Sequence, residues 1–369
     1  MKSSSPELTP SGTAPQFVVP LYPRVVVLGI SQILAWGATF NLPGVLGRPI
    51  TNDLDLSLTI VLAGPTVMLV ILAMVSWFLT SRFERHGARS IMIGGTILAA
   101  IGVMLLALSQ NLASYMTAWI VLGFAGAGVL TTAAQIAIAE IAGPRAKQAI
   151  GLLALFGALS SPILWPIVNA LQATIGWRST TALLAACLIT ISLPLLWWAL
   201  PPSPDSAPET DQMRPGALDS GPARTPLNSV DFALVAIASA ANGFITWGFS
   251  LTLVVLFEER QVSRDDAVAL ASFIGLASLA ARALDYLGGR RWSGLTTGVA
   301  ASLVLPVSYL VLLAGSGYAV ALTFVVLYGL AGGAMAVARS TIPLAIFPRD
   351  AYARASARLA LPLNLAYAA

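Results

Sequence analysis

The chain has 369 residues, of which 57% are apolar and only 10% charged, with a formal net charge of +4. A soluble protein carries roughly 25% charged residues, because a water-facing surface needs them. So few charges exclude a soluble enzyme of this size, and continuous apolar runs in place of alternating ten-residue strands exclude a membrane β-barrel.

Residues 1–23 form a polar tail, rich in Ser, Pro and Thr, with no apolar core of a cleavable signal peptide. Apolar runs then predict membrane spans near 24–46, 57–80, 90–108, 114–140, 149–173 and 179–200. Each is close to the roughly 20 residues that a helix needs to cross a bilayer core. Residues 201–230 hold seven prolines and almost no apolar residues, which reads as a flexible linker. Further spans follow near 231–257, 266–284, 293–314 and 318–347, and another run opens near 353. The chain thus divides into the tail, a six-helix bundle (24–200), the linker, and a second bundle (231–369) of four helices and most of a fifth.

Loop charges give the orientation. With the N-terminus inside the cell, sixteen of the 20 lysines and arginines fall on the inner side, and only Arg48, Arg178, Arg260 and Arg264 fall outside. The positive-inside rule therefore predicts a cytoplasmic N-terminus in a multi-pass protein of the inner or plasma membrane. The basic residues serve topology, so nucleic acid is not an expected partner. Cys187 is the single cysteine and His86 the single histidine, so the sequence offers neither a disulfide nor a metal site of soft ligands. No cofactor signature appears. The GFAGAG stretch at 123–128 follows no strand and reads as close helix packing.

The two sides of the linker resemble each other. SQILAWGAT (31–39) aligns with NGFITWGFS (242–250), so that Trp36-Gly37 falls on Trp247-Gly248 and Thr39 on Ser250. In the loops that follow the second and eighth spans, Glu84, Gly87 and Arg89 fall on Asp285, Gly288 and Arg290. LGFAGAG (122–128) aligns with YGLAGGA (328–334). Three matches in order indicate a duplicated half, the usual build of secondary transporters, which bind substrate between the halves near the midplane.

Six spans, a long linker, a second set, and the loop Thr80-Ser81-Arg82-Phe83-Glu84-Arg85-His86-Gly87-Ala88-Arg89 resemble the major facilitator superfamily. Glu84, Arg85, Gly87 and Arg89 stand where that family's signature loop has its acid, arginine, glycine and final arginine, and Thr80 replaces its leading glycine. The resemblance implies an all-α polytopic membrane protein with a 6+6 helix fold and pseudo-twofold halves. It further implies that Tyr352–Ala369 is most of an eleventh span and that a twelfth lies beyond the sequence, as in a truncated transporter. It implies a monomer, and a latch between the halves that involves Glu84, Arg85, Gly87 and Arg89 with Asp285 and Arg290.

Candidate binding residues follow from polarity inside apolar runs. Arg339 lies nine residues before Pro348, about 13 Å along a helix at 1.5 Å per residue. An arginine at that depth must face protein or water, or snorkel to the surface. Gln32, Trp36 and Thr39 share one face of the first span. Thr131, Thr132 and Gln135 do so in the fourth, and Asn242, Thr246 and Ser250 in the seventh. Such stripes line a cavity or bond neighbouring helices. Glu140 is either a carrier of a coupling proton or a helix-end carboxylate paired with Arg145. Gly157-Ala158-Leu159-Ser160-Ser161-Pro162 partly resembles a motif of antiporter members.

These features predict a secondary active transporter of a small organic solute, anionic or amphiphilic, working by alternating access, with export ahead of import. The competing class is a transporter-like membrane sensor or partner subunit without flux. An enzyme is not expected, since no nucleophile–base or metal constellation appears.

Overall fold

The computed structural model describes residues 20–201, 229–248, 253–288, 292–347 and 352–368, which are helical apart from short turns. Helices α1 (Leu21–Ala38) and α2 (Leu42–Leu54) make the first crossing, which breaks between Thr39 and Asn41. Pro43 stands in the first turn of α2, where its missing N–H leaves no bond unmade. Helix α3 (Leu58–Ala107) starts where the Ser57 side chain accepts the Ile60 N–H. It holds two crossings, because the backbone leaves helical geometry at Gly87 (φ 69°, ψ 166°). That conformation is open essentially to glycine alone, which gives the glycine of the signature loop its physical reason.

An Asn111–Ser114 capping box opens α4 (Leu112–Val129), and the same crossing continues past Leu130 as α5 (Thr131–Ala142). Helices α6 (Ala146–Ala158) and α7 (Ser160–Cys187) carry the fifth crossing and enter the sixth, with a turn at Gly176 (φ 78°, ψ 162°). A short π-turn leads into α8 (Leu193–Ala199). The second half holds α9 (Ser229–Gly248), α10 (Leu253–Glu259), α11 (Arg264–Gly288), α12 (Gly294–Ala314), α13 (Tyr318–Ile346) and α14 (Tyr352–Ala368).

The helices fall on the apolar runs of the sequence, with two differences. Bends near residues 40, 130 and 159 interrupt runs that hydropathy shows as continuous. Helix α11 also reaches Gly288 rather than ending near 284, which takes its last charges one turn deeper into the bundle. By length and hydropathy, six helical stretches among the described residues can cross a bilayer; one of them, Leu112–Ala199, is 88 residues long and so holds several crossings.

Inside lipid there is no hydrophobic drive between helices, so packing rests on small residues that let backbones approach. A Cβ added to Gly123 would stand 3.0 Å from the carbonyl oxygen of Met68, and one added to Gly329 would stand 2.8 Å from that of Ile274. Residues 123 and 329 are 206 apart, and so are 68 and 274. The sequence repeat is therefore also a repeat of packing: α4 lies on α3 as α13 lies on α11.

The halves meet through α14 against α3 and α5, and through α6 against α11 and α13. Their shared core lies at the end of the bundle where Gly87 sits. There Tyr352 and Ala357 of α14 pack among Phe83, Met92, Ala137 and Ile150. Towards the other end the cores separate, one around Leu46, Tyr115 and Trp119 and one around Phe257, Phe324 and Tyr328.

Candidate functional site

Between the halves lies a cavity of about 360 Å³. The first half contributes Gln32, Trp36, Asn41, Thr131, Gln135 and Ala154 to its wall, and the second contributes Arg282, Arg339, Ser340, Ser356, Asn364 and Tyr367. Among the described residues, no aspartate or glutamate lines it.

The polar wall is mostly braced by its own bonds. Gln32 donates Nε2–H to the Val129 carbonyl at 2.8 Å, which leaves its buried Oε1 without a partner. Val129 ends α4 at the Leu130 bend, so the bend supplies the carbonyl that holds Gln32. Trp36 donates Nε1–H to Thr131 Oγ1 at 3.1 Å, tying α1 to the start of α5. Gln135 donates to Ser340 Oγ across the two halves at 2.5 Å.

The two arginines are less well served. Arg282 donates Nη1–H to the Ala154 carbonyl at 3.0 Å, again across the halves, but its buried Nε has no partner. Arg339 lies with its guanidinium carbon 5.3 Å from the centre of the Tyr367 ring, and its buried Nη1 has no partner. A buried cation without a counter-charge is costly. Two of them stand on one wall, with donors unspent and no carboxylate among the described lining residues.

The stripes read from the sequence are placed differently from one another. Gln32, Trp36, Thr131, Gln135 and Arg339 line the cavity. Thr39 is buried at the α1 break and turns its Oγ1 back to the Ala35 carbonyl at 2.6 Å. Asn242 and Thr246 lie off the cavity wall: Thr246 donates to the Asn242 carbonyl at 2.7 Å, and Tyr328 of α13 donates to the Thr246 carbonyl. These two brace α9 against α13. Ser250 and Arg290 lie outside the described residues, as does the side chain of Glu84.

Around the signature loop, Arg85 is exposed, and Arg89 donates to the Trp197 carbonyl at 3.3 Å with its guanidinium carbon 4.5 Å from that tryptophan's ring. Asp285, the repeat partner of Glu84, is buried; it accepts the Thr297 hydroxyl at 2.5 Å and pairs with Lys147 of the first half at 3.6 Å. Glu140 accepts the Ala88 N–H with both carboxylate oxygens at 3.1 Å, capping the helix that restarts after Gly87. It therefore serves a helix N-terminus rather than an ion pair with Arg145. Replacing Glu140 by Ala is expected to lower stability by about 1 kcal/mol, the usual worth of such a cap, and to leave substrate affinity within about twofold of wild type, within the reach of surface changes away from a site. Thermal unfolding in detergent and a binding isotherm check the two halves of that expectation.

Sequence reasoning missed Arg282 and Lys147, which it counted only among the sixteen basic residues of the inner side. The signal for Arg282 was weak. Read with a span ending near 284 it belongs to the surface, whereas α11 places it six residues before Gly288, about 9 Å from the helix end.

Two bundles of apolar helices enclosing a polar cavity with two arginines on its wall define a polytopic helical membrane protein with a solute-sized site between its halves. The chain matches the Major Facilitator Superfamily over residues 19–368 and belongs to that family of transporters of small solutes. It is 33% identical over 189 residues to the MFS antiporter QDR3 of Candida albicans, a match that covers 47% of this chain and 26% of that protein, about a quarter of the relative's length. Its fold is similar to that of the human organic anion transporter MFSD10 (TETRAN), with TM-score 0.69, 16% identity, and coverage of 95% of this chain and 92% of that one. It is also similar to the E. coli fucose:proton symporter FucP, with TM-score 0.68, 12% identity, and coverage of 93% and 89%. At these identities the two structures establish the fold alone. The family and the apolar helices make the chain a multi-pass membrane protein.

Proposed function

We propose that this protein carries a small organic anion across the cell membrane by alternating access, with the cavity between the halves as the carried site. The observation behind this reading is the pair Arg282 and Arg339, each with a buried guanidinium nitrogen left unbonded, on a wall with no carboxylate among its described residues. In this reading the N-terminus and the Gly87 end are cytoplasmic, as the loop charges indicate. The bonds that join the halves, from Gln135, Arg282 and Lys147, support a state closed on that side. Export is the proposed direction. It rests on the antiporter name of the QDR3 relative and on the antiporter-like stretch 157–162, of which Gly157 and Ala158 stand on the cavity wall.

The test is flux in proteoliposomes. A panel of labelled organic anions, with neutral and cationic analogues of the same size, is offered under proton and anion gradients. At least one anion should move, and the analogues should neither move nor compete. If no anion moves under any gradient in either direction, the proposal fails and a role without flux takes its place.

A further inference from the structure

A second recess, of about 610 Å³, lies away from the halves' interface, between the two arms of α3 and the face of α4. Its floor is made by Gly94, Gly95 and Gly128, its walls include Phe78 and Phe124, and its mouth is set by Arg82 and His86. The walls face outward: Phe78 is 72% exposed and Phe124 49%. On a helix bundle in a bilayer, that face meets lipid.

Two features separate this recess from ordinary lipid-facing surface. First, the floor is kept open. Gly95 sits against the Gly128 backbone, where a Cβ would come within 2.7 Å of the Gly128 carbonyl carbon, so that glycine serves the α3–α4 contact. Gly94 has no such duty, since a Cβ there would meet nothing within 4 Å. Second, the mouth is cationic and hydrogen-bonding. Arg82 and His86 stand one helical turn apart on the polar turn that leads to Gly87. Beyond the Gly87 break, from Ser90 to Leu98, the recess follows eight residues, about 12 Å of helix at 1.5 Å per residue. That is a length for a hydrocarbon chain, with a phosphate binder at its polar end.

We infer that this recess binds one anionic phospholipid of the leaflet at the Gly87 end. Its phosphodiester lies between Arg82 and His86, and one acyl chain lies over Gly94. The bilayer supplies the hydrocarbon at any site on this face, so only the basic mouth selects among lipids. Basic pockets between membrane helices recognise headgroups in this way. The site lies apart from the transport cavity, so it stands or falls separately from the proposed function.

The experiment uses the purified full chain in a neutral detergent, titrated with dioleoylphosphatidylglycerol or with dioleoylphosphatidylcholine. Phosphatidylglycerol is expected to raise the melting temperature by about 3 °C or more, as a ligand bound only by the folded state does, and phosphatidylcholine to raise it by much less. Gly94→Leu fills the floor where the structure leaves room. It should keep the lipid-free melting temperature and lose the phosphatidylglycerol shift. Arg82→Gln, at an exposed position, should keep a small shift but lose the preference for phosphatidylglycerol. Equal shifts from both lipids, or a full phosphatidylglycerol shift in Gly94→Leu, would overturn the inference. So would a native mass spectrum showing a dimer that Gly94→Leu dissolves, because the recess would then seat a second copy of this chain.

Discussion

Arg339→Gln is expected to reduce transport of an anionic substrate by about 30-fold to 3000-fold. The range follows from the 2–5 kcal/mol lost when one partner of a buried, hydrogen-bonded charge pair is removed, at 1.4 kcal/mol per factor of ten. The glutamine keeps the shape of the wall and removes the charge, so the loss reports the anion contact rather than a void. A second readout separates binding from structure. Without substrate, Arg339 has the Tyr367 ring beside it, but it also faces the like charge of Arg282, its Nη1 is unbonded, and no carboxylate among the described wall residues offsets it. Taking it away should therefore leave the melting temperature of the substrate-free protein unchanged or slightly raised. An interaction that mattered for folding would lower it. Arg339→Lys should recover only part of the activity, because an ammonium cannot present a planar pair of donors or stack on the Tyr367 ring. Transport unchanged in Arg339→Gln would remove this residue from the site. Transport lost together with a melting temperature several degrees lower would make it a brace between α13 and α14.

How far the sequence discloses this site depends on which physical constraint each residue obeys. The spans are legible because a bilayer forces each crossing to be apolar and helical throughout. The bends at Thr39, Leu130 and Leu159 are not, because hydropathy is blind to direction; yet the Leu130 bend frees the Val129 carbonyl that fixes Gln32. Arg339 is legible because no arginine sits that deep in an apolar run without a reason. Arg282 is hidden because the end of a span is known only to within about a turn, and one turn decides whether it belongs to a loop or to the cavity. Polar stripes announce that a helix face turns inward and nothing more. Gln32 and Thr131 line the cavity, while Asn242 and Thr246 lie off it and spend their bonds within α9 and on Tyr328. The repeat is legible in its glycines, because close approach of backbones admits few other residues. It also points to Asp285 as the counterpart of Glu84, but not to Lys147, which comes from the other half and has no match in the alignment.

That ion pair supports the second large expectation. In a background carrying Cys187→Ser, cysteines placed at Lys147 and Asp285 should cross-link with a short bifunctional reagent and abolish transport, and reducing a cleavable linker should restore it. The side chains they replace meet at 3.6 Å, across the one end of the bundle where the halves share a core. A carrier that alternates must part them to open that end, so a covalent bridge should hold it closed. The milder variant gives the energetic side. Asp285→Asn keeps a partner for the Thr297 hydroxyl and removes the charge that Lys147 meets. The Lys147 side chain is 20% exposed against 4% for Asp285, so the pair falls between a surface pair and a buried one, and about 1–2 kcal/mol is a reasonable worth. At 1.4 kcal/mol per factor of ten, Asp285→Asn should shift the ratio of closed to open conformers about 5-fold to 30-fold towards opening at the Gly87 end. Labelling of a single cysteine at Asn364, on the cavity wall, reads this shift as slower modification from the far side of the membrane. The reversed pair, Lys147→Asp with Asp285→Lys, should recover part of the wild-type ratio, as a direct pairwise coupling requires. A cross-linked protein that still transports at the wild-type rate would show that this end never opens, and alternating access through it would have to be abandoned.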